Sequence, residues 1–261
     1  MLDLSGRRYL VTGVLTQESI AWAVASDLQQ AGAEALLTGF GRSLRITERA
    51  AAALPKPAEV LELDVTEEAH FGRLADDLSR RFGSLDGVVH AIAAAPPETI
   101  NGGFLHASQA AIERAFLISA SSLHRLAVSL SPLLAAGSGG SVVGLSFDAA
   151  RAWPSYDWMG VSKAALEAVC RYLAMYLGPM AIRANVVAAG PVETVAGRGI
   201  DSFDAIASRF ESEAPLGWDR RSADQITGPV LFLLSDLARG MTGEVLHVDG
   251  GLHAVGLGLV R

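Results

Sequence analysis

The two side chains best suited to proton and charge chemistry are Tyr156 and Lys163, which stand seven residues apart. On a helix, residues at this spacing are almost two full turns apart and project from nearly the same face. A tyrosine has a pKa of about 10, and a neighbouring cation favours its phenolate. Such a pair can donate a proton or a hydrogen bond to an oxygen that gains charge during a reaction. Taken alone, the spacing also describes a core tyrosine and a surface lysine.

The elements that must position this pair follow from the alternation of apolar segments with helical patterns. Strands are predicted at 8–12, 35–38, 59–63, 87–92, 141–145, 183–187 and 244–248, and helices at 20–31, 67–82 and 162–177. This order predicts an α/β fold, a Rossmann-type doubly wound sheet of about seven parallel strands with helices on both faces. No Pro- or Ser-rich linker divides the chain, so residues 1–261 are interpreted as a single domain.

Two segments depart from this rhythm. Residues 93–97 form a proline-bearing turn after the fourth strand, near the centre of the expected sheet. Residues 190–216 are a long interruption that contains Gly197, Gly199 and a short helical run. Long segments at the carboxyl end of a parallel sheet usually shape the ligand crevice, so the second is predicted to be the substrate-binding segment.

Composition excludes several classes of protein. A net charge of −7 and a pI near 5.4 argue against nucleic-acid binding. The single cysteine, Cys170, cannot form an internal disulfide, which fits a reducing cytoplasm. No apolar stretch reaches 18 residues and the first residues lack a signal-peptide core, so we expect a cytoplasmic protein without a membrane partner. The six histidines show no ligand spacing, so no metal is expected.

A dinucleotide site is predicted after the first strand. Gly13 follows that strand, and a helix begins near Ile20 after the possible cap residue Ser19. A glycine there allows close approach of the backbone to a pyrophosphate, and a helix N-terminus offers N–H donors. Ser19 can cap the helix and hydrogen-bond a phosphate. The three-glycine loop of common dinucleotide folds is absent, so the segment also fits an ordinary strand-to-helix turn.

The ends of the second and third strands suggest where an adenosine would bind. Phe40 is placed to stack on adenine, and Arg42 rather than a carboxylate follows it. A carboxylate there would bind the ribose 2′-hydroxyl, whereas an arginine can meet a 2′-phosphate. Asp64 can accept from the adenine amino group, or it can begin a capping box with the acidic residues that follow. Both interpretations of Asp64 stay open.

Six motifs occur in an order that is specific as a set: Gly13 followed by Ser19, Leu-Asp-Val at 63–65, Phe147 nine residues before Tyr156, Tyr156 seven before Lys163, Ala-Gly-Pro at 189–191 and His-Val-Asp-Gly-Gly at 247–251. The set resembles the enoyl-acyl-carrier-protein reductases of type II fatty-acid synthesis, within the short-chain dehydrogenase/reductase superfamily. The segment Ala-Trp-Pro-Ser-Tyr-Asp-Trp-Met at 152–159 is most similar to the actinobacterial branch. The resemblance extends from about residue 4 to residue 255.

The resemblance implies hydride transfer from a reduced nicotinamide to C3 of a trans-2-enoyl thioester. Tyr156 would hydrogen-bond the thioester oxygen, Lys163 would hold the nicotinamide ribose, and Phe147 would shape the pocket as the third catalytic position. Cofactor contacts are implied for Gly13, Ser19, Ile20, Phe40, Asp64, Val65, Ile92, Ala93, Lys163, Val192 and Thr194, and substrate contacts for Ala95 and Tyr156. The implied cofactor is NADH, with NADPH left open by Arg42. The implied partners are an acyl-carrier-protein or CoA thioester and further copies of the chain in a homotetramer.

Residues 91–93 depart from the family pattern, reading Ala-Ile-Ala where Ser-Ile-Gly is usual. We hypothesise that the missing serine hydroxyl at Ala91 weakens binding of the cofactor, and that the added methyl of Ala93 weakens binding of inhibitors that stack on the nicotinamide. The Ala93→Gly variant should then bind a diaryl ether inhibitor more tightly in a titration, and unchanged inhibition would contradict the hypothesis. The departures leave three alternatives open: a reductase of another substrate, a paralogue in secondary metabolism or inhibitor resistance, and a cofactor-binding protein without catalysis.

Overall fold

Seven short strands form one sheet in a computed structural model that describes residues 2–137 and 139–256. Their order across the sheet is β3-β2-β1-β4-β5-β6-β7, and every neighbouring pair is parallel. This confirms the predicted fold class and all seven predicted strands, with ends that differ by at most two residues. The strands are β1 Arg8–Val11, β2 Glu34–Gly39, β3 Val60–Glu62, β4 Gly87–His90, β5 Ser141–Ser146, β6 Arg183–Ala189 and β7 Val245–Val248.

Helices cover both faces of the sheet because alternate residues of each buried strand point to opposite layers. Val11 and Val89 join the apolar core beneath α1 and α8. Their neighbours Leu10 and Val88 join the opposite core beneath α3, α5 and α6. The helices are α1 Ile20–Gln30, α2 Leu44–Ala52, α3 Glu68–Phe82, α4 Gln109–Phe116, α5 Ser122–Ala135, α6 Asp157–Leu177, α7 Phe203–Glu213 and α8 Asp224–Leu234.

The strand order places a crevice at the carboxyl edge of the sheet. β1 lies between β2 and β4. The strands that follow β1 are added on one side of it, and those that follow β4 are added on the other side, so the order reverses between β1 and β4. In open α/β sheets, ligands bind outside the carboxyl ends of the strands at such a switch point. The segments after β1, β4, β5 and β6 therefore meet at one edge.

Helix α6 begins five residues earlier than the predicted start at residue 162. The amide groups of Met159 and Gly160 donate to the carbonyl oxygen of Tyr156, which makes Tyr156 the N-cap residue. Tyr156 therefore stands at the N-cap of α6 rather than within the helix, and its side chain and that of Lys163 line the same cavity. The other two predicted helices begin or end within one residue of the predicted bounds, as α1 and α3.

Residues 109–135 form one continuous helical stretch in which α4 and α5 are joined by the π-helical turn Leu117–Ser121. By length and composition this stretch is long and apolar enough to cross a membrane. Half of its apolar window is buried inside the molecule, where Leu123, Leu126 and Leu130 pack in the core. A core helix of a soluble protein can be equally long and apolar, so this stretch is not evidence that the protein crosses a membrane.

Candidate active site

A cavity of about 670 Å³ lies at the carboxyl edge of the sheet, between the segments that follow β1 to β6. Its walls come from residues more than 180 positions apart in the chain, which the parallel sheet brings to one edge. Every residue predicted for the site lines this cavity: Gly13, Ser19, Ile20, Phe40, Asp64, Val65, Ile92, Ala93, Ala95, Phe147, Tyr156, Lys163, Val192 and Thr194.

The loop after β1 depends on Gly13. This residue adopts a φ of 82°, and a Cβ built on it would lie 2.2 Å from the carbonyl oxygen of Ala91. Thr12, the residue before it, also binds the end of β4, because its amide and hydroxyl both donate to the carbonyl oxygen of Val89. The first loop therefore lies directly against the end of β4, and only glycine satisfies both the backbone angle and the space.

Ser19 occupies the N-cap position of α1 but does not cap it in the predicted way. Its hydroxyl oxygen accepts hydrogen bonds from the amides of Leu15 and Thr16, both at 3.1 Å, instead of from the first turn of the helix. The side chain therefore closes the loop upon itself. Its hydroxyl proton and the first N–H groups of α1 face the cavity region and remain suitable donors for an anion.

Asp64 does not start a capping box, because α3 begins at Glu68 and the residue before it, Glu67, is the N-cap. The Asp64 carboxylate instead accepts from the amide and hydroxyl of Thr66, at 2.9 and 2.7 Å, in a local turn. Asp64 and Phe40 line the same end of the cavity, and Phe40 is 45% exposed there. Arg42 lies outside the cavity wall in a short exposed turn, Gly41–Ser43.

Ser119 fixes the segment after β4 and was not identified from the sequence. Its hydroxyl donates to the carbonyl oxygen of Ala94 at 3.0 Å and accepts from the Ala94 amide at 3.1 Å. Ser119 is fully buried within the π-helical turn, whose wider winding interrupts the helix beside the site. The positions of Ile92, Ala93 and Ala95 therefore depend on a side chain about 25 residues further along the chain.

Tyr156 is held at the cavity wall by an unusual backbone turn. Its neighbours Ser155 and Asp157 adopt left-handed φ angles of 60° and 39°. Within the described residues, the phenol hydroxyl has no hydrogen-bond partner, so its proton is available to a ligand in the cavity. Burial raises the pKa of Tyr156, and Lys163 does not lower it. Tyr156 is therefore a neutral hydrogen-bond donor.

Lys163 lies on the first half of α6 with only 7% of its surface exposed. Its ammonium group donates to the carbonyl oxygen of Leu145 at 2.8 Å, which leaves two further N–H donors. Burial lowers the pKa of Lys163 to about 8, and the charge of Glu167 partly opposes that shift. Glu167, four residues along α6, hydrogen-bonds Ser146 at 3.0 Å. Glu167 was not identified from the sequence, although its i, i+4 spacing from Lys163 was a signal that could have found it.

We expect Lys163 to lose its charge as the pH rises through about 8, so NADH affinity and kcat/KM should fall above this pH. The contribution of Lys163 to folding has the opposite sign. In the unfolded chain a lysine keeps its proton to about pH 10.4. Between these values the unfolded state binds more protons, so the free energy of unfolding should rise with pH on account of Lys163.

Carbon-13 NMR of protein labelled at lysine Cε measures this pKa directly. The chain has two lysines, Lys56 and Lys163, so the Lys56→Arg variant assigns both signals. Titration of the Lys163 signal near pH 8, together with a decline in kcat/KM over the same range, is the expected outcome. A Lys163 signal that does not change below pH 10 would contradict the prediction.

Phe147 belongs to a cluster of aromatic rings behind the cavity. Its ring centroid lies 5.4 Å from that of Tyr156, with an edge-on arrangement, and 5.1 Å from that of Trp153. Phe210 of α7 and Trp218 extend the cluster away from the cavity. Aromatic pairs at these distances favour such tilted packing. Phe147 therefore links Tyr156 to the segment that follows β6.

The segment after β6 is fixed at its beginning by Trp218. The indole N–H of Trp218 donates to the carbonyl oxygen of Pro191 at 2.7 Å, and a Cβ on Gly190 would lie 2.6 Å from the indole ring. Val192 and Thr194 follow and line the cavity, and the Thr194 hydroxyl accepts from the amide of Gly197. The segment continues into α7, the short helix expected between residues 190 and 216.

The described residues, 2–137 and 139–256, contain no group of three or more His, Cys, Asp or Glu side chains placed to hold a metal ion. The polar groups at the cavity wall include a phenol, an ammonium, a guanidinium, a carboxylate, hydroxyls and backbone N–H donors. They can bind an anionic or hydroxyl-rich ligand and stabilise an oxygen that gains negative charge.

Comparison with known proteins is consistent with this site. A family model described as enoyl-(acyl carrier protein) reductase matches residues 13–253. The enoyl-acyl-carrier-protein reductase (NADH) of Mycolicibacterium smegmatis is 40% identical over 262 residues, which cover 95% of this chain and 96% of that protein. That of Mycobacterium avium is 39% identical, covering 95% and 96%. The enoyl-acyl-carrier-protein reductase (NADPH) FabI of Staphylococcus aureus is 36% identical, covering 98% and 100%. This chain belongs to the enoyl-acyl-carrier-protein reductase family.

Proposed function

We propose that this protein reduces the trans-2 double bond of an enoyl thioester carried by acyl carrier protein or CoA, with NADH, in fatty-acid biosynthesis. The observation that carries the proposal is the unpartnered phenol of Tyr156 in the wall of the cavity that Lys163 also lines. The relatives are named for this reaction, and the match spans nearly the whole length of each. Membership of the family favours this activity over the alternatives of another substrate or lost catalysis.

The residues present fit a dinucleotide along the cavity floor. Gly13 leaves the loop after β1 without a side chain, and Ser19 and the start of α1 supply donors for a pyrophosphate. Phe40, Asp64 and Val65 would hold the adenosine, while Ile92, Ala93, Val192, Thr194 and Lys163 would hold the nicotinamide half. When bound, the reduced nicotinamide supplies a hydride. NADH is the proposed cofactor because Arg42, the residue suited to a 2′-phosphate, lies outside the cavity wall.

Tyr156 and Lys163 would act on the thioester oxygen. As C3 gains a hydride, the electron pair of the double bond moves toward the carbonyl and the oxygen becomes enolate-like. The neutral phenol of Tyr156 donates a hydrogen bond to that oxygen, and the buried ammonium of Lys163 lowers the energy of the negative charge. A proton taken up from solvent water then adds to C2 and gives the saturated thioester. Because both groups are fixed by the backbone turn and by Leu145, little reorganisation is needed.

The acyl chain would lie beneath the segment 190–216. Ile200, Phe203 and Ile206 of this segment line the cavity opposite Ile100 and Met159, and together they make an apolar wall. Phe147 would shape the pocket beside the reacting carbons, and Ala95 would contact the substrate at the end of the loop after β4. The aromatic rings behind Phe147 fill the space beyond it, which favours acyl chains of short to medium length.

The assembly and location follow from the family and from the charge of the chain. We infer a homotetramer in the cytoplasm in which β7 and the residues after it contribute to an interface. β7 lies at an edge of the sheet, and all four of its residues are only partly buried. A net charge of −7 favours neither nucleic acid nor an anionic membrane surface as a partner.

The experiment that tests the activity follows NADH absorbance with crotonyl- and dodecenoyl-CoA and with the matching acyl-carrier-protein thioesters. We expect turnover of the enoyl thioesters and none of the saturated thioesters. A parallel fluorescence titration reports NADH binding. NADH binding without turnover of any enoyl thioester would reject the reductase and favour a cofactor-binding protein, whereas turnover of a simple ketone alone would favour another reductase class.

A further inference from the structure

Three of the four non-glycine residues with left-handed backbone angles in the described chain lie together, next in sequence to residues that line the cavity. They are Asn101, Ser155 and Asp157, with φ angles of 57°, 60° and 39°. Asparagine tolerates this region through its short polar side chain, whereas serine is strained there. Strain of this kind persists only where the surrounding contacts enforce it, and it clusters at functional sites. Asn101 and Gly102 form hydrogen bonds with Ser155 and Asp157 that help to hold these backbone angles.

The side chain of Asn101 joins two walls of the cavity. Its amide group donates to the carbonyl oxygen of Gly199 at 3.1 Å, and its side-chain oxygen accepts from the amide of Asp201 at 2.9 Å. Ile100 and Ile200, next to these partners, both line the cavity. Because the side-chain amide of Asn101 both donates and accepts a hydrogen bond, it fixes the separation of the two walls. A carboxylate in its place could only accept, and a hydroxyl would be too short to form both bonds.

The backbone of the same loop joins the turn that carries Tyr156. The amide of Asn101 donates to the carbonyl oxygen of Ser155 at 2.9 Å, and the amide of Gly102 donates to the carboxylate of Asp157 at 2.7 Å. These two hydrogen bonds fix the positions of the residues on either side of Tyr156. One residue therefore touches both the segment over the proposed acyl site and the turn that sets the phenol.

We propose that Asn101 is a positioning residue that couples closure of the segment 199–202 over the substrate to the placement of the Tyr156 hydroxyl. The proposal rests on the proposed function for its substrate. Asn101 itself does not line the cavity, so it acts through Tyr156 and through the two isoleucines. A second bond between the same segments, from the Ser202 hydroxyl to the carbonyl oxygen of Pro154, supports the closed arrangement.

The Asn101→Gly variant removes the side-chain bonds and keeps the backbone angle, because glycine adopts positive φ without strain. We expect KM for an enoyl thioester to rise and kcat to fall, each about tenfold, while the Kd for NADH stays unchanged. Trypsin should cleave after the exposed Arg198 about tenfold faster, because Gly199 is no longer held. Asn101→Asp keeps the acceptor for Asp201 and loses the donor to Gly199, so its values should fall in between.

The matched control is His106→Gly, which places a glycine in the same loop at an exposed side chain that forms no hydrogen bond within the described residues. It should match the wild type in kcat, KM and cleavage rate, and circular dichroism should show that all variants fold. Wild-type kcat in Asn101→Gly overturns the proposal, whether or not trypsin cleaves faster. If the wild-type protein turns over no enoyl thioester, the proposed function fails. An unchanged rate of trypsin cleavage in Asn101→Gly would separately reject the contact between Asn101 and the segment 199–202.

Discussion

The Tyr156→Phe variant is expected to lose about 10²- to 10⁴-fold in kcat while binding NADH as the wild type does. The substitution removes only the hydroxyl, and the ring keeps its edge-on contact with Phe147 at 5.4 Å. Because the pKa of Tyr156 is raised by burial, the lost interaction is a hydrogen bond from a neutral phenol. Single-turnover absorbance of NADH with crotonyl-CoA measures the chemical step without product release.

The control for this variant is Tyr172→Phe, the same change on α6 at a side chain that is 65% exposed. It should retain wild-type kcat. The pH profile adds a second criterion, because Tyr156→Phe should keep the decline above pH 8 that is attributed to Lys163. A kcat within about threefold of the wild type would remove Tyr156 from the proposed chemistry.

The Gly13→Ala variant should lose NADH binding and stability together. A left-handed backbone angle costs a non-glycine residue about 1–3 kcal/mol. The new methyl group would also lie 2.2 Å from the Ala91 carbonyl oxygen, so the loop or the end of β4 must move. Overpacking of this kind adds about 1–3 kcal/mol. Urea unfolding gives the change in the free energy of unfolding, and fluorescence titration gives the Kd for NADH.

Gly6→Ala separates the two causes. Gly6 has nearly the same angle, φ 78°, but nothing lies within 4 Å of a Cβ built there. Gly6→Ala should therefore lose only the backbone contribution, about 1–2 kcal/mol, and keep its affinity for NADH. Equal losses of stability in the two variants would show that the contact with Ala91 has no energetic consequence.

The sequence predicted the sheet well because the strands of a parallel sheet are buried on both faces. Continuous apolar runs such as residues 141–145 occur only in such strands or in longer core helices, and length distinguishes the two. The order of the strands across the sheet was not predicted, because crossover handedness alone does not decide on which side of β1 each later strand is added. The site residues implied by the family resemblance line one cavity because the carboxyl ends of parallel strands meet at one edge of the sheet.

The errors concern groups whose state depends on contacts distant in the chain. The start of α6 was predicted five residues too late, and the residues on either side of Tyr156 hydrogen-bond to Asn101 and Gly102, contacts that no local pattern shows. Spacing alone also does not give the extent of burial, which raises the pKa of Tyr156. Ser119 was missed for a related reason. A serine in an apolar helix has no local signal that it will bind the backbone of another segment.

The strand order has a consequence for how the chain acquires its site during synthesis. β1 is complete by residue 11, yet its partner β4 is made only at residues 87–90. Until then the loop at Gly13 has no Ala91 carbonyl to pack against. Contacts so far apart in sequence form slowly, because the intervening chain must first be ordered. A nascent chain that ends before Ala91 should therefore be unable to retain nucleotide at this loop.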